Sequence, residues 1–364
     1  MRIAILGTRG IPNQYGGFEQ AAAHLSAGLV RLGHQVTVYN PSTHPYNGDE
    51  WQGARIIRCY APPGAAGQFV YDLACTLDAR KRNFDIWLIL GYTSSSVWGW
   101  LYPKNTVLIS NMDGLEWKRS KYSGPVRKFL RWAESLAVRY SRLLVADSLA
   151  IEVYLGEKYG VKARYIAYGA EVHNDVDESG LGELGLEKQD YFMVMARMEP
   201  ENNIEMILQG YCMAHTKKKL LVIGNTGNAF GRKLRQRFGG MGSILFAGAV
   251  YDQPKLAALK KYCSLYFHGH SCGGTNPSLL EAMADSALVC AHDNPFNRSV
   301  LNADGLYFKT AADVAKAITA SADREAAAIM IDHNLEKIRE HYNWPSIVSA
   351  YEQLMRDGFN ALHT

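Results

Sequence analysis

The sequence predicts an α/β fold with two doubly wound parallel sheets, one in each half of the chain. The first observation behind this prediction is that short apolar runs of strand length alternate with helical stretches. The second is that this alternation occurs twice, in a chain whose 364 residues exceed what one hydrophobic core usually supports. Because strands that alternate with helices form parallel sheets covered on both faces, we expect two domains of this kind.

The apolar runs place the individual strands. In the first half they are residues 3–6, 36–39, 86–90, 107–109, 143–145 and 165–166. In the second half they are residues 192–195, 220–223, 244–246, 265–267, 288–290 and 306–308.

An acidic stretch that contains glycine separates the two halves. Residues 173–190 (HNDVDESGLGELGLEKQD) contain few β-branched or aromatic residues, which is typical of an exposed connection. The sequence therefore predicts an N-terminal domain over residues 1–172, a linker over 173–190 and a C-terminal domain over 191–343. We expect residues 344–359 to form a helix that packs across both domains and back onto the first.

Composition disfavours several classes of protein. No apolar stretch approaches the roughly 20 residues needed to cross a bilayer, and the first residues (MRIAILG) do not resemble a secretory signal. We therefore expect a cytosolic protein. The six cysteines have neither the paired spacing of a zinc site nor the density of a disulfide framework, so we interpret them as reduced.

Residues 117–144 (WKRSKYSGPVRKFLRWAESLAVRYSRLL) form a basic segment with eight Lys or Arg and the single acid Glu134. The part after residue 125 has an apolar stripe at helical spacing. Two interpretations stay open: the solvated face of an ordinary helix, or a surface for anionic phospholipid or a polyanionic acceptor. Nucleic acid is disfavoured because no recognised binding motif accompanies the charge. The candidate surface residues are Lys118, Arg119, Lys121, Arg127, Lys128 and Arg131.

Residues 7–20 (GTRGIPNQYGGFEQ) lie between the first predicted strand and a helical pattern, where Gly16 and Gly17 precede the helix. Free backbone amides and the positive end of the helix dipole favour an anion there, and glycine lets it approach the backbone. A tight turn is the structural alternative. A dinucleotide fingerprint fits poorly, because the loop lacks G-x-G-x-x-G and no acid ends the second strand.

Arg197 ends the first strand of the second half, directly before residues 198–206 (MEPENNIEM). Pro200 and Glu201 suit the first turn of a helix. An arginine at the carboxyl end of a strand offers a planar fork for a diphosphate, and an interdomain salt bridge is the alternative.

Residues 267–284 (FHGHSCGGTNPSLLEAMA) read as a strand, a glycine-rich loop and a helix. The amides of Gly274, Thr275 and Asn276 form a second end that is receptive to an anion. Glu281, about one turn into the helix, suits sugar hydroxyls. We interpret His268 and His270 as loop or core histidines, because no third metal ligand is apparent; no metal site is predicted.

These three motifs resemble retaining glycosyltransferases of family 4, which have the GT-B fold of two Rossmann-like domains with an interdomain cleft. The resemblance spans nearly the whole chain. Residues 7–19 (GTRGIPNQYGGFE) and 113–119 (DGLEWKR) are similar to a bacterial rhamnosyltransferase subgroup. That subgroup acts in cell-wall polysaccharide, capsule and O-antigen assembly, with dTDP-L-rhamnose as donor.

The resemblance implies that Arg197 binds the donor diphosphate, helped by the loop amides, and that Glu281 holds a ribose hydroxyl. Tyr251 falls where relatives hold the nucleobase, and a tyrosine at the edge of the core is the alternative. The implied donor-binding residues are Gly16, Gly17, Arg197, Asn202, Tyr251, Gly274, Thr275, Asn276 and Glu281. In two places the chain departs from the family: Asn202 replaces a usual Lys, and Gly273 replaces a usual Glu that contacts the sugar.

Asp113 ends a first-domain strand, near where many relatives place a histidine that contacts the C6 hydroxyl of the sugar. Since rhamnose is a 6-deoxy sugar, the lack of histidine there is consistent with rhamnose. We hypothesise that Asp113 orients the acceptor hydroxyl or receives its proton, with Glu116 as second candidate. An aspartate that caps the following turn is the structural alternative.

The resemblance thus implies an enzyme without cofactor that transfers a sugar with retention of configuration. Arg197 would stabilise the departing diphosphate. The implied acceptor is a polyprenyl-diphosphate-linked saccharide at the inner face of the plasma membrane. A UDP-sugar donor, nucleotide-sugar binding without turnover, and a two-domain NAD-dependent dehydrogenase are the alternatives.

Overall fold

The computed structural model describes residues 1–14, 16–112, 114–119, 122–173 and 176–364. The chain divides into two compact units. The first unit contains Met1–Lys118, Tyr122–Gly169 and Trp344–Thr364, and the second contains Arg119–Lys121 and Ala170–Asn343. Each unit has its own sheet.

The strands of the first unit are β1 (Arg2–Leu6), β2 (Gln35–Pro41), β3 (Glu50–Trp51), β4 (Ala54–Cys59), β5 (Ile86–Leu90), β6 (Val107–Asn111), β7 (Leu143–Ala146) and β8 (Arg164–Tyr165). Within the described residues they form an eight-stranded sheet in the order β3-β4-β2-β1-β5-β6-β7-β8. Neighbouring strands are parallel except β3 and β4, which pair antiparallel. This hairpin was not predicted, because Arg55 and Arg58 interrupt the apolar pattern of β4.

The strands of the second unit are β9 (Tyr191–Met195), β10 (Lys219–Ile223), β11 (Ile244–Gly248), β12 (Leu265–His268), β13 (Val289–His292) and β14 (Leu306–Phe308). In the described part of this unit they form a six-stranded parallel sheet in the order β11-β10-β9-β12-β13-β14. Because β9, β12 and β13 are neighbours, the loops that leave their carboxyl ends lie side by side.

The helices of the first unit are α1 (Gly17–Arg31), α2 (Ala65–Ala79), α3 (Tyr92–Ser95), α4 (Gly124–Tyr140) and α5 (Leu149–Tyr159). The second unit contains α6 (Ser179–Gly182), α7 (Ile204–Met213), α8 (Ala229–Phe238), α9 (Gln253–Lys261), α10 (Pro277–Ala284), α11 (Pro295–Leu301), α12 (Ala311–Ala320) and α13 (Arg324–Glu340). The last helix, α14 (Trp344–His363), belongs to the first unit. Among the described residues, 3₁₀ helices are formed by Ser96–Leu101, Glu116–Lys118 and Pro200–Asn202.

The segment expected to be an exposed linker packs in part on the second unit. Among its described residues, α6 contacts α9, and the side chains of Leu181 and Leu186 are buried. The apolar leucines between the acidic residues explain the difference, because burying them on the second unit removes their side chains from water.

Helix α14 packs against α1 within the first unit. The rings of His24 and Trp344 stack with their centroids 4.2 Å apart. One turn later, Gly28 lies so close to α14 that a Cβ atom there would stand 2.6 Å from a methyl group of Val348. The two helices therefore meet at a site where only glycine fits on α1.

Helix α4 is held in place by its single acid. Glu134 is buried, and one carboxylate oxygen accepts hydrogen bonds from the hydroxyl of Tyr154 at 2.8 Å and that of Tyr159 at 2.7 Å. Lys158 Nζ lies 2.8 Å from the same oxygen, and Trp117 Nε1 donates to the other at 3.2 Å. Glu134 thus joins α4 to α5 and to the preceding 3₁₀ helix.

None of the helices in the described ranges combines the length and apolarity needed to span a membrane.

We predict that Gly28→Ala destabilises the first unit by about 1–3 kcal/mol, because the added methyl group overpacks the contact between α1 and α14. Thermal unfolding should show a midpoint lowered by several degrees, and Val348→Ala in the same background should restore part of the loss. The control is Gly156→Ala in α5, where the nearest atom to an added Cβ is 3.8 Å away. An unchanged midpoint for Gly28→Ala would contradict the packing argument.

Candidate functional site

The loop after β9 presents the guanidinium group of Arg197 to solvent. The backbone of Arg197 is fixed by Asn202. The buried side chain of Asn202 donates a hydrogen bond from Nδ2 to the carbonyl oxygen of Arg197 at 2.8 Å. In the part of the chain that the structure describes, no ion pair involves Arg197. Its positive charge is therefore available to a ligand.

The loops after β9 and β12 interlock. Asn203 has a left-handed backbone, with φ of 50°, and donates from Nδ2 to the carbonyl oxygen of Gly269 at 2.8 Å. A Cβ atom on Gly269 would stand 2.0 Å from the carbonyl oxygen of Asn202, so only glycine fits. The amide and hydroxyl of Ser271 both donate to the carbonyl oxygen of Glu201, at 3.0 and 2.8 Å.

The same loop is bound from the other side by residues after β13. Asn294 and Asn297 each donate from Nδ2 to the carbonyl oxygen of His270, at 3.1 and 3.0 Å. Asn297 also donates to the carbonyl oxygen of His292 at 2.8 Å. Asn294 caps α11 by accepting from the amides of Phe296 and Asn297. Residues 269–271 are thereby held on both sides before any ligand arrives.

The loop continues into the N-terminus of α10. Asn276 is the N-cap, its Oδ1 accepts from the amide of Ser278 at 3.0 Å, and Pro277 occupies the first turn. Thr275 is buried. Gly273 has φ of 125°, and a Cβ atom there would meet nothing within 4 Å. The loop thus places the N-terminus of α10 beside open space. The free amides and the positive dipole end of the helix favour an anion there.

Glu281 on α10 lies over a buried ion pair. Lys260 Nζ is 2.6 Å from Asp285 Oδ2 and 3.6 Å from Glu281 Oε2, and the side chains of Lys260 and Asp285 are 3% and 2% exposed. His173 Nδ1 is 2.9 Å from the other oxygen of Asp285. Breaking such a pair from one side leaves a buried charge uncompensated, at a cost of about 3–5 kcal/mol. Lys260 therefore fixes the carboxylate of Glu281, whose side chain keeps 26% exposure.

The two histidines of the loop stack face to face, with ring centroids 4.4 Å apart and planes inclined by 18°. His268 is buried and belongs to the core, whereas His270 is half-buried at the edge of the site. Burial, followed by the charges of Arg197 and Arg119, lowers the pKa of His270 to about 3. Burial and the neighbouring His270 and His292 hold the pKa of His268 well below its ordinary value. Both rings are therefore neutral near pH 7.

The loop at the start of α1 is braced by side chains from β2 and from α1 itself. Asn40 accepts from the amide of Ile11 at 3.0 Å and donates to its carbonyl oxygen at 2.7 Å. Gly16 is extended and α1 begins at Gly17. The carboxylate of Glu19, in the first turn, accepts from the amide of Arg9 at 2.8 Å. A carboxylate therefore already lies near the helix end at which the sequence predicts an anion.

The remaining predicted residues are dispersed. Asp113 and Lys121 lie outside the described residues. Glu116 is half-buried, with the hydroxyl of Tyr122 at 3.5 Å. Tyr251 follows β11 and is 79% exposed.

Of the basic segment, the residues exposed to solvent include Lys118, Lys128 and Arg131. Arg127 and Arg119 are half-buried. Arg119, which belongs to the second unit, has Nη1 3.8 Å from Glu201 Oε1. Among the described residues, no group of three or more His, Cys, Asp or Glu is arranged to hold a metal ion.

The residues that support the site were missed by sequence reasoning. Lys260, Asn203, Asn294 and Asn297 act on partners that are distant in the sequence, and their residue types alone gave no signal. The one signal present was the H-G-H pattern of residues 268–270, for which we predicted no function.

Comparisons with known proteins bear on the fold. A family model described as "Domain of unknown function (DUF1972)" matches residues 1–171. A search of the curated proteins finds no significant match. Many solved structures match this chain.

Sucrose-phosphate synthase from Thermosynechococcus elongatus is 20% identical with a TM-score of 0.84, and the match covers 99% of each chain. HepE from Anabaena, solved in complex with UDP and glucose, is 17% identical with a TM-score of 0.76, over 98% of this chain and 99% of that chain. A glycosyltransferase from Rickettsia africae is 13% identical with a TM-score of 0.71, over 98% of each chain. The two sheets, parallel apart from the β3–β4 pair, and these similarities confirm the predicted GT-B fold.

We predict that Gly269→Ala disturbs the interlocked loops, because the added methyl group meets a backbone carbonyl that cannot rotate away. Overpacking of this kind costs about 1–3 kcal/mol or more. Thermal unfolding should show a lowered midpoint for the second unit. The control is Gly240→Ala, where an added Cβ meets nothing within 4 Å. If both variants unfold at the wild-type temperature, the interlock does not constrain the site.

Proposed function

We propose that this chain is a retaining glycosyltransferase that moves a sugar from a nucleotide-sugar donor onto an acceptor at a membrane surface. The observation that carries the proposal is the exposed guanidinium of Arg197 at the carboxyl end of β9, on the same sheet edge as the N-terminus of α10. The GT-B fold supports it. HepE, one of the similar structures, is solved with UDP-glucose.

In the proposed reaction, negative charge develops on the diphosphate as the bond to the sugar breaks. Arg197 and the amides of residues 274–276 would stabilise that charge, which is the role of a preorganised anion site. Asn202 would act through Arg197, since its side chain holds the Arg197 carbonyl oxygen.

Glu281 would accept hydrogen bonds from the ribose, and Tyr251 would stack on the base. The carboxylate of Glu281 would repel a phosphate if it were uncompensated. Lys260, whose Nζ is 3.6 Å away, reduces that repulsion.

In this proposal the first unit binds the acceptor. Asp113 or Glu116 would orient the acceptor hydroxyl or take its proton. Gly16 and Gly17 are proposed as a further anion site at the start of α1.

For the donor we propose dTDP-L-rhamnose, on the resemblance of residues 7–19 and 113–119 to rhamnosyltransferases. A UDP-sugar is the second candidate, because HepE binds UDP in its solved structure. Binding without turnover is a further candidate, supported by the missing side chain at Gly273.

The exposed face of α4 supports the membrane contact. Lys128, Arg131 and Arg139 are exposed on it, and the side chain of Trp132, 49% exposed, lies among them. Glu134, the only acid of the helix, is buried and bonded to α5. Cations with an interfacial tryptophan favour an anionic lipid surface. We propose a polyprenyl-diphosphate-linked saccharide as acceptor.

We predict that dTDP raises the thermal unfolding midpoint more than UDP, GDP or NAD, since a ligand that binds only the folded state stabilises it. Arg197→Ala should abolish the shift and lower kcat/KM by about 100-fold, because one lost anion donor costs roughly 3 kcal/mol. Arg339→Ala on α13, an exposed arginine on the same unit, is the control. A larger shift with UDP would replace the donor, and a shift with NAD alone would refute the transferase.

We predict that Lys128→Glu combined with Arg131→Glu lowers binding to vesicles of phosphatidylglycerol and phosphatidylcholine by at least about tenfold, since each cation near such a surface contributes about 1 kcal/mol. Cosedimentation at low and high salt measures this effect. The matched control is Arg80→Glu with Lys81→Glu, which makes the same charge change at exposed residues after α2. Equal loss in both double variants would mean that net charge, and not this face, governs binding.

A further inference from the structure

The loop after β12 presents open space at Gly273. A Cβ atom at this glycine would meet nothing within 4 Å, and φ of 125° disfavours any other residue. No side chain of residue 273 can contact a ligand there. A side-chain contact to a ligand in this space therefore comes from a residue other than Gly273.

His270 is the side chain that the loop holds ready at this edge. Its carbonyl oxygen accepts from both Asn294 and Asn297, and its ring stacks on the buried ring of His268. These contacts fix the backbone and one ring face without using a ring nitrogen.

The ring nitrogens of His270 differ in their surroundings. Nδ1 is buried, and within the described part of the chain it has no hydrogen-bond partner. Nε2 is not one of the buried ring nitrogens that lack a partner, and the described residues form no hydrogen bond to it. Nε2 is therefore the nitrogen that a ligand reaches. Because no partner fixes the tautomer, Nε2 can donate to or accept from a hydroxyl group.

The charges around His270 keep its ring neutral. Burial, followed by the charges of the Arg197 and Arg119 guanidinium groups, lowers its pKa, and the ring of His268 stacks on it. A neutral imidazole adds no charge for a phosphate, which Arg197 already supplies, but it suits the hydroxyl groups of a sugar.

We propose that Nε2 of His270 hydrogen-bonds a hydroxyl group of the sugar carried by the nucleotide donor, in the space left open at Gly273. This inference rests on the proposed function, because it names the residue that distinguishes the intact nucleotide sugar from its nucleoside diphosphate. The buried ring of His268 supports the ring of His270 by stacking on one face.

The test compares two ligands on each variant by isothermal titration calorimetry. The probes are dTDP and dTDP-L-rhamnose, repeated with UDP and UDP-glucose. His270→Phe keeps a ring that can stack on His268 but removes both nitrogens. We expect it to weaken binding of the nucleotide sugar about fivefold, the size of one neutral hydrogen bond, while binding of the nucleoside diphosphate stays unchanged.

Two further variants complete the design. His270→Gln, which keeps a polar group, should recover part of the lost affinity and covers the case in which His270→Phe does not fold. His215→Ala, at an exposed histidine of the same unit, should bind both ligands like the wild type.

Equal weakening of both ligands would overturn the inference, because a contact to the diphosphate or a disturbed loop would cause it. Unchanged binding of the nucleotide sugar would overturn it as well. If the wild type binds neither nucleoside diphosphate nor nucleotide sugar, the proposed function itself fails and the inference fails with it. The wild-type titration separates that result from the others.

Discussion

The close approach of Gly269 to the carbonyl oxygen of Asn202 is the constraint on which the candidate site depends. Two parallel neighbouring strands bring their loops to one sheet edge, but they do not fix the loops against each other. The missing side chain at Gly269 lets the backbones touch, and Asn203 then bonds across the gap. Since Arg197 and His270 are carried by these two backbones, their separation is set by that contact.

Buried charges fix the helices in a similar way. Glu134 accepts hydrogen bonds from residues of α5 and from Trp117. Lys260 forms ion pairs with Asp285 and Glu281. Each of these groups loses hydration on burial, so its hydrogen bonds and ion pairs chiefly specify geometry and add little net stability. In α4 the result is a helix whose exposed face carries basic residues and no acid. In α10 it is a carboxylate held still beside the proposed anion site.

The sequence could predict the strands because parallel strands buried on both faces are nearly continuous apolar runs. It missed β4, in which Arg55 and Arg58 break the run, and it treated residues 173–190 as exposed although Leu181 and Leu186 are buried. Arg197 and residues 274–276 could be proposed because they follow strands directly. Asn203 and Gly269 are 66 residues apart in the sequence, so no local sequence pattern predicts their contact.

The charges of the site explain why its histidines are better neutral. A diphosphate bound at the proposed site would bring more negative charge than Arg197 alone can balance, and the N-terminus of α10 would supply part of the remainder through oriented amides. A protonated His270 would stand beside Arg197 and Arg119 in the empty protein, where the three cations would repel each other. Keeping the ring neutral avoids that repulsion and leaves a group that responds to hydroxyl geometry instead of charge. In the proposed site, selectivity for the sugar could then be adjusted at His270 without weakening the proposed diphosphate contact at Arg197.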